Sequence, residues 1–161
     1  MTTRRMLMAS TVGLAAIATV SRFRPATAVT AAETAADAEW RRKLTPAQFN
    51  VLRESGTEMP FSSPLDMSFA AGRYDCVGCG QHLYSSRTKF DSHTGWPSFY
   101  APLDRAIQTV ADGSVGMQRT EVRCAQCNGH LGHVFDDGPR PTGLRYCMNG
   151  VALNFVPGQP A

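Results

Sequence analysis

The sequence predicts a mainly β domain behind a short helical N-terminus, stapled by a single zinc ion. Three observations predict it. Short apolar or alternating runs recur through the second half of the chain, bounded by Gly and Pro. One well-punctuated helix precedes them. Two Cys-x-x-Cys pairs supply four thiols with the spacing that suits a tetrahedral ion.

The helix is the easiest element to justify. Thr45 can cap it, Pro46 suits the first helical position, and Gln48 stands three residues after the cap as a capping-box partner. Phe49 and Leu52 share a face, and Gly56 offers a stop. Strands are expected at His82–Ser85, Ile107–Val110, Gly116–Arg123, Leu131–Phe135, Leu144–Met148 and Val151–Val156. Asp112-Gly113 and Asn149-Gly150 each lie between two such runs and read as hairpin turns. There is no coiled-coil or transmembrane pattern, and no internal repeat beyond the paired cysteine knuckles.

Those knuckles are Cys76-Val77-Gly78-Cys79-Gly80 and Cys124-Ala125-Gln126-Cys127-Asn128-Gly129. Two intervening residues let both thiolates of a pair face one ion, and the glycines beyond permit the tight turn around it. Four thiolates leave no water position, so Cys76, Cys79, Cys124 and Cys127 predict a structural zinc site. Two disulfides, or a redox dithiol, are the competing arrangements of the same residues.

Charge is unevenly placed. Arg4, Arg5, Arg22 and Arg24 precede Ala28 and no acidic residue does, so they account for four of the 16 Lys+Arg residues and none of the 13 Asp+Glu. Beyond Ala28 the net charge is −1, which argues against a nucleic-acid surface. The first 28 residues read as a signal peptide: a basic start, an apolar run from Ala9 to Val20, and Ala26-Thr27-Ala28 as a small-residue cleavage site. The run is too short for a stable membrane anchor. Adjacent Arg4-Arg5 before a hydrophobic pair resembles a twin-arginine signal, which predicts export of the folded protein to a bacterial periplasm. Residues 29–40 read as a flexible linker, and 41–157 as the domain. Nothing in the sequence requires more than a monomer.

Cys147 is the fifth cysteine, in Leu144-Arg145-Tyr146-Cys147-Met148-Asn149-Gly150. A free thiol becomes reactive where cations or histidine favour thiolate. Arg145 lies two residues away, on the same face of a strand. His130 and His133 sit in Gly129-His130-Leu131-Gly132-His133-Val134-Phe135, whose glycines permit close backbone approach. These features alone leave a thiol enzyme and a zinc-stabilised binding module both open.

A family resemblance separates them. Lys89-Phe90-Asp91-Ser92 leading to Gly95-Trp96-Pro97-Ser98-Phe99, then Arg119-Thr120-Glu121-Val122, then His130 through Pro139, then Gly143 through Asn149, together resemble the B-type methionine sulfoxide reductases. The resemblance runs from about Trp40 to Phe155. It implies two antiparallel β-sheets behind short N-terminal helices, and reduction of the R epimer of methionine sulfoxide, free or in oxidised proteins. By position, it implies Cys147 as nucleophile, His133 with His130 as the groups that bind and protonate the sulfoxide oxygen, and Asn149 as a positioning residue. It also implies Trp96 as the surface for the methyl on sulfur, with Arg145 and Asp137 near the pocket.

One departure from the family pattern matters. Many members carry Gly-Cys where this chain has His93-Thr94, and that cysteine resolves the sulfenic acid formed on the nucleophile. With Thr94 in its place, an external donor is expected, either a thioredoxin-like protein or a small thiol. Gly150, where the family often has Ser, is expected to matter little.

Overall fold

Thr45 opens its helix as the sequence requires. In the computed structural model, which describes residues 36–160, its hydroxyl accepts the Gln48 N–H at 3.3 Å while the Gln48 side chain accepts the Thr45 N–H at 3.0 Å. A first helix, α1, occupies residues 36–43, and α2 spans Pro46–Glu54 with Phe49, Val51 and Leu52 buried. Two expectations change here. Residues 36–40, read as the end of a flexible linker, are helical, and Trp40 packs on the core. The stop is made by Ser55, which takes the left-handed conformation at φ 54°, while the Gly56 N–H closes on the Asn50 carbonyl at 2.9 Å. The leader and most of the linker stretch lie outside the described residues.

Among the described residues nine strands follow: β1 Gly72–Cys76, β2 His82–Ser85, β3 Lys89–Phe90, β4 Ser98–Phe99, β5 Ile107–Asp112, β6 Arg119–Cys124, β7 His130–Phe135, β8 Arg145–Met148 and β9 Leu153–Pro157. They form two antiparallel sheets, one of three strands in the order β2-β1-β9 and one of six in the order β3-β4-β8-β7-β6-β5. The mainly β class and the two sheets are as expected. Among the described residues no helix is long and apolar enough to cross a membrane.

The sheets share an aromatic core. Tyr84 stacks on Phe99 at 4.4 Å between ring centres, Tyr74 meets Phe99 edge-on at 4.9 Å, and the Tyr84 hydroxyl donates to the Met148 sulfur at 3.2 Å. All four side chains are fully buried. Alternation along β8 then dictates the rest. Tyr146 and Met148 point into this core, so Arg145 and Cys147 must point to the opposite face of the six-stranded sheet.

The two dipeptides read as hairpin turns behave differently. Asp112 ends β5, and the connection to β6 runs through a 3₁₀ turn, Ser114–Gly116, before β6 begins at Arg119. Asn149-Gly150 is not a hairpin at all. The chain crosses there from the larger sheet to the smaller one, through a 3₁₀ turn at Gly150–Ala152, because β8 pairs with β7 and β4 whereas β9 pairs with β1.

Candidate functional site

The four knuckle cysteines close a corner between the sheets. Cys76 ends β1 and Cys124 ends β6, with Cys79 and Cys127 in the turns that follow. Both turns use one hydrogen-bond pattern: the Gly80 N–H reaches the Cys76 carbonyl at 2.8 Å, and the Asn128 N–H reaches the Cys124 carbonyl at 2.9 Å. The left-handed residue is Gly80 at φ 77° in the first knuckle and Asn128 at φ 58° in the second, asparagine being among the few residues that tolerate it. Leu52 of α2 packs against both knuckles, where a side chain at Gly129 would collide with it.

These thiols could hold one metal ion. Their sulfurs all lie within 4.8 Å of one another, with Cys76 to Cys127 at 3.8 Å and Cys79 to Cys124 at 3.6 Å. Zinc–thiolate bonds of about 2.3 Å put the sulfurs of a tetrahedron about 3.8 Å apart, whereas a disulfide needs about 2.05 Å. The cysteines are unbonded. Backbone N–H groups of Gln81, Gln126 and Cys127 favour the thiolate forms of Cys79 and Cys124, the forms a metal would bind. The set therefore fits a tetrahedral thiolate site that would pin one sheet to the other.

Cys147 stands on the far face, between β4 and β7. Its strand partners are Ser98 and His133, so the three side chains share one row across the sheet. The row is tight because Gly132 lets β7 approach: a Cβ there would lie 2.1 Å from the Cys147 carbonyl oxygen. The Thr94 hydroxyl lies 3.8 Å from the Cys147 sulfur, in a chain of hydroxyls that continues to Ser92 at 2.8 Å and Ser98 at 2.7 Å. Burial pushes the Cys147 thiol up, while the Thr94 hydroxyl, the Arg145 cation and the Ser98 hydroxyl act against that rise.

A β-bulge brings the two histidines together. Val122 pairs with Gly132 but Arg123 pairs with His130, so Leu131 is the extra residue on β7. Without it, residues 130 and 133 would face opposite sides of the sheet. With it, both face the Cys147 side, their rings 5.4 Å apart. Each is held by a carboxylate of another strand: His130 Nδ1 meets Glu121 of the adjacent β6 at 2.7 Å, and His133 Nε2 meets Asp112 at the end of β5 at 2.8 Å. Asp112 Oδ2 also takes the Arg119 guanidinium at 2.7 Å. Hydrogen bonds from Ser114 and His133 hold the Asp112 carboxyl well below the usual carboxylate range. His130 is buried, which lowers its pKa against the pull of Glu121, and its Nε2 has no partner.

Cys147, His133, Trp96 and Asn149 line one cleft of about 140 Å³, together with Thr57, Arg119 and Phe135. His130 lies just behind, in an adjoining cavity that also reaches His133 and Arg119. The Trp96 ring is fixed by an indole N–H bond to the Glu58 carbonyl at 3.2 Å. Asn149 is buried, its amide donating to the Leu131 carbonyl at 3.0 Å and its oxygen accepting the Glu58 N–H at 2.9 Å. Arg145 and Asp137 stand outside the cleft. They form a two-pronged ion pair at 2.8 and 2.7 Å, with the guanidinium 4.4 Å over the ring of Phe135.

The sequence reading passed over several of these groups. Glu58 anchors Trp96 and Asn149 and binds the Val151 N–H at 2.9 Å, yet lies 91 residues from Asn149, with no local signal. Asp112 read as a turn residue. Arg119 and Glu121 had a signal, since they are two apart on one strand and so share a face. His93, the other departure from the family pattern beside Thr94, has its side chain 84% exposed at a left-handed position (φ 57°) and pairs with Asp91 at 3.1 Å.

Comparison with known proteins points one way. The SelR domain family model matches residues 44–157. The chain is 58% identical over 120 residues to a protein of Pseudomonas fluorescens named peptide methionine sulfoxide reductase MsrB, covering 74% of this chain and 92% of that one. Proteins of the same name from Leptospira interrogans and Agrobacterium fabrum are 52% identical over 120 residues and 53% identical over 122 residues, covering 74% and 75% of this chain and 92% and 90% of theirs.

Proposed function

This chain belongs to the SelR domain family, oxidoreductases that reduce methionine sulfoxide, and we propose that it acts on the R epimer through the Cys147 thiolate. The observation that carries the proposal is the row Ser98–Cys147–His133 beside Trp96 in one small cleft. The indole face suits the methyl on sulfur, while His133 on the other side suits the oxygen. Opposed contacts of this kind discriminate the two hands of a chiral sulfur.

In the proposed reaction the thiolate attacks the sulfoxide sulfur and the S–O bond breaks. His133, held by Asp112, supplies a proton to the oxygen, with His130 as a second polar group behind it. The protonated oxygen then bonds to the Cys147 sulfur as the bond between the two sulfurs breaks, so methionine leaves and Cys147 keeps the oxygen as a sulfenic acid. Arg145, fixed by Asp137, favours the attacking thiolate. Asn149 keeps the cleft wall in place through its two backbone contacts.

The chain has five cysteines, and four form the knuckle cluster, so Cys147 has no internal resolving partner. An external thiol then attacks the sulfenic acid, forming a mixed disulfide and water. A second thiol releases Cys147 as the external disulfide forms. The donor is a thioredoxin-like protein or a small thiol. The ion in the knuckles is proposed to be zinc, with a structural role, in a monomeric enzyme. Thiol titration after one turnover in the absence of donor tests the scheme: loss of one thiol per chain supports it, and loss of two contradicts it.

Residues 1–28 are proposed to direct export by the twin-arginine route to a periplasm, with cleavage near Ala28 and 41–157 as the working domain. N-terminal sequencing of protein from the periplasmic fraction tests this, and intact Met1 on wholly cytoplasmic protein contradicts it.

A further inference from the structure

The catalytic cleft is small. At about 140 Å³ it falls below the roughly 300–1,000 Å³ of pockets that enclose whole ligands, so it has room for the end of one side chain. Beside it lies a groove of about 730 Å³, well inside that range. Thr57 lines both, and Asn149 of the cleft adjoins Gly150 of the groove, so the two are continuous.

The groove runs between α2 and the segment 57–65. Ala47 and Val51 line it from the helix, Met59 and Leu65 from the segment, and Val151 and Phe155 from the chain that crosses between the sheets. Glu58 is its only charged lining residue, and the Gly150 and Val151 N–H groups occupy that carboxylate. Met59 stands 75% exposed, so its side chain is open to a partner in the groove. Next to it Phe61 is 69% exposed and held at φ 61° by an N–H bond to the Gly95 carbonyl at 2.7 Å. A bulky residue in the left-handed region carries strain, and strain of this kind clusters at ligand-binding sites.

We infer that the groove seats the polypeptide chain beside the oxidised methionine of a protein substrate, with the sulfoxide side chain in the cleft and its apolar neighbours in the groove. This rests on the reading of the cleft as the sulfoxide site. A free amino acid has nothing to place in the groove, whereas a polypeptide leaving the cleft must pass somewhere. The expected neighbours are apolar for two reasons. Methionine is ordinarily a buried residue, so a segment that exposes an oxidised one also exposes the apolar residues around it. The groove also offers no free cation to an acidic neighbour, and Glu58 opposes one.

The test compares N-acetyl-methionine-R-sulfoxide amide with two heptapeptides carrying the same sulfoxide, one flanked by Leu and Val and the other by Asp and Glu. The apolar peptide is expected to have a kcat/KM about tenfold or more above both other substrates. Met59→Asp and Ala47→Glu, both at exposed positions on opposite walls, are expected to lower kcat/KM for the apolar peptide about fivefold more than for the capped amino acid. Unchanged thermal midpoints for the two variants establish that both still fold. Equal kcat/KM for the apolar peptide and the capped amino acid, or equal losses in the variants, overturns the inference while leaving the reductase reading intact. No turnover of any of the three overturns the reductase reading, and the groove assignment with it.

Discussion

The Thr94 hydroxyl lies 3.8 Å from the Cys147 sulfur, at the end of a hydroxyl chain running through Ser92 to Ser98. A thiol in place of that hydroxyl would stand where a sulfenic acid on Cys147 could be attacked. Thr94→Cys is therefore expected to lose two thiols in one turnover and to form an internal disulfide, whereas the unmodified chain loses one. Mass spectrometry of the peptides containing residues 94 and 147 reads the difference. An internal disulfide at Cys147 in the unmodified protein contradicts the account.

Removing a knuckle ligand should undo the fold. The site joins the ends of β1 and β6, which belong to different sheets. Structural zinc in small domains binds with apparent energies of about 10–16 kcal/mol, as large as the roughly 5–15 kcal/mol that holds a typical domain together. Cys124→Ser is expected to lose the metal and either fail to fold or melt far lower. The unmodified protein should contain one zinc per chain by atomic absorption. An unchanged melting midpoint in metal-free Cys124→Ser contradicts a structural site.

The reactivity of Cys147 should rise on the alkaline side. Burial raises its thiol pKa, and only thiolate alkylates. Iodoacetamide labelling at Cys147, followed by mass spectrometry without substrate, is expected to climb with pH and to reach its half-maximum above the roughly 8.5 of an ordinary thiol. Arg145→Gln removes one opposing influence and should move the limb further up. The sign for stability follows: a buried neutral thiol stabilises fully below the unfolded thiol's pKa, and that contribution is lost as pH rises through the raised folded value. Half-maximal labelling near neutrality contradicts this description.

His133 and Asp112 should act together. His133→Ala is expected to cost on the order of 10²-fold in kcat, the usual scale of general acid catalysis. Asp112→Asn, which disturbs the contacts of one oxygen to both His133 and Arg119, should lower kcat by less and leave KM nearly unchanged. Steady-state kinetics at several pH values checks both, and full activity in His133→Ala contradicts the proton-donor role.

What was legible in the sequence was what depends on neighbours along the chain. The Thr45 capping box, the two knuckles and six of the strands (β2 and β5 through β9) rest on residues within a few positions of one another. Alternation in Arg145-Tyr146-Cys147-Met148 likewise fixes which side chain leaves the core. The failures have the opposite character. β1 reads Gly-Arg-Tyr-Asp-Cys, with no clean alternation, because its Asp75 is buried and held by Arg73 and His82. β3 and β4 are two residues each, too short for any period to show. Asn149-Gly150 has the composition of a turn, but no dipeptide reveals that the strands on either side belong to different sheets. The Leu131 bulge, which aims His130 and His133 to one face, is visible only in the pairing register of β6 with β7.

The central claim is that Cys147 reduces one hand of the sulfoxide in the cleft beside Trp96 and His133. Its most direct test is turnover of separated R and S epimers of methionine sulfoxide by residues 29–161, with dithiothreitol as donor. Reduction of the R epimer alone, lost in folded Cys147→Ser, is the result the account predicts. Reduction of the S epimer, or activity surviving in Cys147→Ser, would contradict it.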